Sequence, residues 1–514
     1  MPKPAFTAAL AVLALALAGP AAAQLTPPPG PVADSGKSID EAAPGTPLSA
    51  ADLPIVISQP GSSYLTENLV APASGGNAIT VNSSNVTLDL RGFAITQNSG
   101  QLITYSRGIS VRVNRENVTI KNGIVRGCSQ DGISTEDAGR VHIVDVESSN
   151  NGGNGFSLGS NTRLENCLAA ENFARGFSGA SLNVLVNCNA NDNGTEGFLL
   201  GNGCRIEGCS AFDNSSGGFQ LGTDCVAIGS IARSNVGSGF RVGVGTSLTD
   251  CTASETTTGT GTIGHGFLLN IGVAARGCTA TGNASSGFVS GSILADCSAF
   301  DNGSTGISTT TGASVTNCKS RSNGFAGFSG TGTSFVGCNA SFNDDAGFNL
   351  NSGSVATSCS AYRNGEVNPR DGFFLAEGST AIGCNARDNS DDGFDLATGS
   401  VARGCHSYSN TGRGFEIDSY CNVEGNTAGE NSGDGFYTNG DYNSIDGNYA
   451  RQNGANGIRL DDGAANNRIV RNQISADTLL IANTPANQVG AVFTGTTPLS
   501  NSFSDDPWAN SVLP

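Results

Sequence analysis

In the last third of the chain, residues able to do chemistry recur at a fixed step. Asp371, Asp392, Arg413 and Asp434 stand about 21 residues apart. Three positions after each of them, Phe374, Asp395, Glu416 and Tyr437 keep the same step, and Arg459 follows one turn later. If that step is one turn of a stacked structure, these side chains lie about 4.8 Å apart and form one outward patch. Clustered carboxylates bind hard cations such as Ca²⁺, which takes about six to eight oxygens. Asp371, Asp392 and Asp434 are the candidate Ca²⁺ ligands. A carboxylate pair can also hydrolyse a glycosidic bond as acid and base, and Asp392, Arg413 and Asp434 are the catalytic candidates. Phe374 and Tyr437 offer aromatic faces to a sugar, with Asp395, Glu416 and Arg459 as polar contacts. The competing reading is a ladder of solvated charges in which Arg413 relieves repulsion between Asp392 and Asp434. An exposed charge contributes little to stability, so Asp392→Ala should leave the melting temperature nearly unchanged.

The other reactive side chains are less suggestive. The three histidines, His142, His265 and His406, are far apart in sequence, and His265 borders the longest insertion. Of fifteen cysteines, eleven fall in one column nine residues before a recurring Gly, among them Cys167, Cys188 and Cys209. Cys204, Cys225 and Cys421 share a second column, and Cys128 stands alone. In-register neighbours sit about 4.8 Å apart, beyond the usual disulfide Cβ separation of about 3.5–4.5 Å. Most of these thiols are therefore expected to be free, buried and inert, acting as small hydrophobes. Cys204–Cys225 is the expected exception.

What positions the patch is a repeat, the first thing to seek in a long chain. Gly-Phe, replaced in places by Gly-Ile, recurs from Gly132 to Gly457 at about 21 residues. Insertions at 256–264 and 366–370 account for the two long gaps. Asn precedes the Gly by four positions, as in Asn172, Asn193 and Asn214, and a small residue follows each Cys by two, as in Ala169 and Ala190. Gly and Asn are poor helix formers, which argues against a two-helix repeat. Short strands joined by Asn/Gly turns fit instead, with Phe, Cys and Ala facing inward. Stacked coils then place like on like. An Asn column in the turns becomes a ladder of amides, the Asn itself being expected to take the left-handed backbone.

Composition bounds the rest. Only 38% of the 514 residues are hydrophobic, Gly numbers 72, and 26 basic residues face 44 acidic ones for a formal charge of -18. Such a chain repels nucleic acid and anionic membranes. Residues 1–23 read as a signal peptide, with Lys3, a short apolar run and Ala21-Ala22-Ala23 as a cleavage site. That run is too short to span a bilayer. Residues 24–53 read as a Pro/Ala-rich linker, 54–484 as the solenoid, and 485–514 as a capping tail that loses the period and carries Trp508, packed over the last coil.

These repeats, with Ser63-Tyr64-Leu65, the segment Asn85 to Leu90, and Pro507-Trp508-Ala509-Asn510, resemble the pectate-lyase-like right-handed parallel β-helix proteins, in a secreted bacterial branch without a settled activity. The resemblance implies an all-β, single-stranded right-handed parallel β-helix of about sixteen or more coils, and a sugar-polymer habit. Signatures of the family's enzymes are missing. The Gly264-His265-Gly266 segment precedes Asp391-Asp392, the reverse of the order in polygalacturonase-like enzymes. The function expected is an exported protein that binds a glycan or a partner. The alternative is a Ca²⁺-dependent polysaccharide lyase or a glycoside hydrolase. A deep groove between the two insertions would favour the enzyme, and a flat face the binder.

Overall fold

The computed structural model describes residues 45–71, 76–97, 107–136, 138–368, 370–481, 486–494 and 507–513. The expected signal peptide and most of the linker lie outside them. Among the described residues the protein is an all-β parallel solenoid of about 20 turns. Seventeen coils carry the Gly-Phe or Gly-Ile motif, Gly108-Ile109 among them, and strands beginning at Ile55, Ile79 and Leu479 supply the remainder. No described helix is long and apolar enough to cross a membrane.

One coil explains the others. Its strands are Phe177–Gly179, Val184–Val186 and Asn189–Asn191. Between and after them, Leu182, Asn187 and Asp192 turn the chain at φ of 63, 52 and 55°. Three strands and three left-handed corners bend each coil back over its own start. Asn, Asp and Gly dominate the corners because they reach this region at least cost. The residue that turns left-handed at the third corner is Asp192, one before the laddered Asn193. The expectation that the Asn itself would adopt that conformation is therefore corrected: Asn193 is freed to point its amide inward.

Every strand pairs in parallel with its equivalent one coil on, Phe177 opposite Phe198 and Ala190 opposite Ala211. Phe177, Leu185, Cys188 and Ala190 fill the interior. The Phe rings stack face to face, with centroids 4.8 Å apart and planes within 3° at Phe156–Phe177. Ile307 interrupts the column, and in the following coils Phe335 packs edge-on against Phe328 at 5.7 Å. The amide ladder runs as expected. Asn172 donates through Nδ2 to Asn193 Oδ1 at 3.0 Å, and Asn193 donates to Asn214 Oδ1 at 2.9 Å.

The motif Gly is required for space. A Cβ on Gly197 would lie 2.9 Å from both the Gly218 carbonyl oxygen and Asn214 Nδ2. All fifteen cysteines are free and buried. Cys204 and Cys225 are no exception: the Cys204 backbone N–H donates to Cys225 Sγ at 3.4 Å.

Both ends differ from expectation. Thr46–Leu48 already pairs with Ser63–Leu65, so strand pairing begins inside the stretch read as linker. At the other end, Asn510–Leu513 pairs with Gln473–Ser475. The tail keeps the ladder that the sequence period hides. In the last coils Asn426, Asn448 and Asn472 take over the Cys column, and Asn510 extends their ladder by a 3.1 Å bond. Trp508 sits half exposed, with the guanidinium groups of Arg468 and Arg471 over its ring at 5.3 and 5.4 Å.

Candidate functional site

Parallel register brings the patch residues together. Phe374, Asp395, Glu416, Tyr437 and Arg459 are successive partners along the outer face of the Phe sheet. Asp371, Asp392, Arg413 and Asp434 precede the same strands. Between Arg370 and Gly433 these coils open into a cleft of about 440 Å³. Asp371, Asp391, Asp392, Asp395, Arg413 and Glu416 line it.

The aspartates before the Gly are not the solvated charges of a surface ladder. Asp371, Asp392 and Asp434 are 7, 5 and 4% exposed. The cause is a side-chain bond from each coil to the next. The carboxylate at this position accepts the backbone N–H of its equivalent one turn on: Asp131 from Asn154 at 2.8 Å, Asp392 from Arg413, and Asp434 from Asn456 at 2.9 Å. The side chain thus lies along the stack and is covered by it.

Burial of like charges sets the electrostatics. Desolvation, with the charges of Asp395 and Asp391, pushes Asp371 up to about 8. Desolvation, with a hydrogen bond to Glu416, pushes Asp392 up to about 8. Asp395 is raised to about 6 by desolvation and by Glu416. Carboxylic acids that stay protonated near neutrality, beside carboxylates that do not, are the usual equipment of acid–base chemistry on sugars.

Not every expected residue joins the cleft. Asp434 accepts two bonds from Asn456, the second from Nδ2 at 2.7 Å, and has Arg459 at 3.9 Å. It is held away from the metal-binding role assigned to it. Among the described residues, the acidic group with one oxygen from each side chain within 4.8 Å of the others is Asp371, Asp391 and Asp392. Asp391 was missed because the repeat drew attention to Asp392, its neighbour in the motif register. The donor set fits a hard, oxygen-seeking cation such as Ca²⁺, whose charge would offset the repulsion among these acids.

Tyr437 is likewise unavailable as a sugar platform. It is 7% exposed, the Arg413 guanidinium covers its ring at 3.9 Å, and its hydroxyl donates to Asp461 Oδ2 at 3.0 Å. Arg413 also pairs with Glu416 at 2.7 Å. It is a positioned cation bridging two coils and is poorly placed to act as a base. Phe374 remains partly exposed. The two insertions wall two separate open clefts instead of one deep groove. His142 and His265 are half-buried and His406 is exposed.

A family model described as a right handed beta helix region matches residues 55–206 and 366–503. No curated protein sequence matches the chain. Among solved structures, a pectate lyase is 16% identical, covering 52% of this chain and 72% of its own at a TM-score of 0.26. The A-module of an Azotobacter vinelandii mannuronan C-5 epimerase is 12% identical, covering 84% and 91% at a TM-score of 0.20. The tailspike of E. coli bacteriophage HK620, solved with a hexasaccharide, is 11% identical, covering 88% and 71% at a TM-score of 0.21. With the family model spanning more than half of its length, the chain belongs to the right-handed β-helix family.

Proposed function

We propose that this is an exported β-helix protein that binds an extracellular polysaccharide along the outer face of its later coils. The observation that carries the reading is the carboxylate cleft. Asp395 and Glu416 present oxygens that accept bonds from sugar hydroxyls, while Asp371 and Asp392, protonated near neutral pH, act as donors. Gly412 and Gly433 leave part of the wall without side chains, so a sugar ring can approach the backbone there. Phe374, the strand partner of Asp395, flanks the cleft with an apolar face.

A second reading, glycoside hydrolysis, is favoured by one specific observation. Asp371 and Asp392 are raised to about 8 and Asp395 to about 6, which separates an acid from a base within one cleft. The lyase alternative has less support, because Arg413 is committed to Glu416 and Tyr437.

A polysaccharide array followed by calorimetry tests the proposal. Wild-type protein is expected to bind at least one glycan, and Asp395→Asn to weaken that binding about tenfold, or about 1.4 kcal/mol. New reducing ends would mark hydrolysis and unsaturated ends a lyase. Equal binding by wild type and Asp395→Asn, or no binding across the array, overturns the assignment.

A further inference from the structure

A second cleft, of about 390 Å³, opens on the same outer sheet face in the middle coils. At about 4.8 Å per coil it lies roughly 30 Å along the stack from the carboxylate cleft. Its floor is a row of strand partners, Gln220, Arg241 and Leu268. Its wall is the insertion at 256–264, which is pinned to the coils at several points. The Gly237 N–H donates to the Thr257 carbonyl at 2.8 Å, and Ser238 Oγ donates to the Ile263 carbonyl at 3.3 Å. Thr256 Oγ1, itself buried, donates to the Gly264 carbonyl at 2.8 Å. The wall is therefore built in place before any ligand arrives.

The chemistry of this cleft is the reverse of the first. Arg241 is exposed and takes part in none of the ion pairs among the described residues, in a chain of formal charge -18. The lining carboxylate, Glu196, is already neutralised by Arg175 at 3.0 Å. His265 lines the same space, and its buried Nδ1 has no hydrogen-bond partner among the described residues. Burial holds this imidazole below its ordinary value, which favours the neutral form. Ile263, 60% exposed, and Leu268 add apolar surface.

From this geometry we infer a second, independent ligand site that takes a carboxylate-bearing sugar, its carboxylate on Arg241 and its ring against Ile263 and Leu268. A guanidinium forms charge-assisted, bidentate bonds with a carboxylate. The volume suits one or a few sugar units. Gln220 and His265 supply polar contacts to the hydroxyls. The site does not depend on the carboxylate cleft, which repels the same ligand.

Calorimetry of the full chain with a uronic-acid trisaccharide and with its uncharged methyl ester tests the assignment. The wild type is expected to bind the acid and to bind the ester at least tenfold more weakly. Arg241→Gln should lose about tenfold in affinity for the acid with an unchanged melting temperature, because the side chain is exposed. His265→Gln should weaken binding to a smaller extent, and Asp395→Asn should leave it unaltered. Failure of the wild type to bind the acid, equal binding of acid and ester, or wild-type affinity in Arg241→Gln would each overturn the site. Loss of binding in Asp395→Asn would move the uronate to the other cleft and overturn it too.

Discussion

At the scale of single residues, the decisive feature is a carboxylate facing along the stack. Asp392 was expected to be exposed and thermally silent. It is 5% exposed, and its Oδ1 accepts the Arg413 N–H. Asp392→Ala would leave that donor unsatisfied and is now expected to lower the melting temperature, whereas Asp392→Asn keeps the acceptor and removes the charge. Asp371 and Asp392 titrate near 8 in the folded protein against about 3.9 in an unfolded chain. The folded state then holds more protons between these values, so its stability falls as pH rises from about 4 through about 8. Thermal melts across this range are expected to show that decline, and Asp392→Asn to flatten it and to melt roughly 1–3 °C higher at pH 8. Ca²⁺ added at pH 8 should stabilise the wild type more than the variant. A melting temperature that does not respond to pH would mean that water reaches these acids.

At the scale of one coil, three left-handed corners and one amide ladder do the positioning. Asn193 accepts at Oδ1 from both the backbone N–H and Nδ2 of Asn172, and donates to Asn214 Oδ1 and to the Ala169 carbonyl. Removing it leaves the Asn172 N–H without its acceptor and takes one donor each from the Ala169 carbonyl and from Asn214 Oδ1, which keeps the Asn193 N–H. Asn193→Ala is expected to cost about 2–4 kcal/mol in denaturant unfolding, since each buried unsatisfied group costs about 1–3 kcal/mol. Amides of the adjoining coils should exchange faster with solvent. A loss below about 0.5 kcal/mol would mean that water replaces the missing amide. The ladder was legible in the sequence because the Asn recurs in strict register. The corners before it were not, because their residue type varies: Glu171, Asp192, Asp213 and Ser234 share the conformation without sharing a side chain.

At the scale of the molecule, stacking replaces covalent bracing. Coil upon coil, interior Phe, Cys and Ala columns exclude water along the described length, and all fifteen thiols lie inside. Burial pushes the Cys128 thiol up to about 12, so it stays protonated at neutral pH and reacts slowly. Thiol titration is expected to find almost no reactive cysteine in the native protein and fifteen after denaturation without reductant. A lower count in the denatured protein would reveal disulfides and contradict the in-register geometry. The outer face, by contrast, changes from coil to coil. A cleft built on Arg241 and an anionic one at Asp392 share one sheet, so different stretches of that face offer opposite chemistry.

The sequence by itself determined the repeat, the inward columns, the parallel stacking and the proximity of the later acidic residues. These follow from periodicity, because residues one period apart must become neighbours in any stacked coil. It also placed the insertion at 256–264 correctly. Only the tertiary structure decided which of those acids are buried, since direction along or away from the stack depends on backbone bonds between coils that no period records. It replaced Asp434 by Asp391 in the carboxylate group, covered Tyr437 with Arg413, and showed Asn510 continuing a ladder at a sequence separation of 38 residues from Asn472. A period detects what repeats. A site is made where neighbouring coils differ, and that difference acquires its chemistry only when the side chains meet.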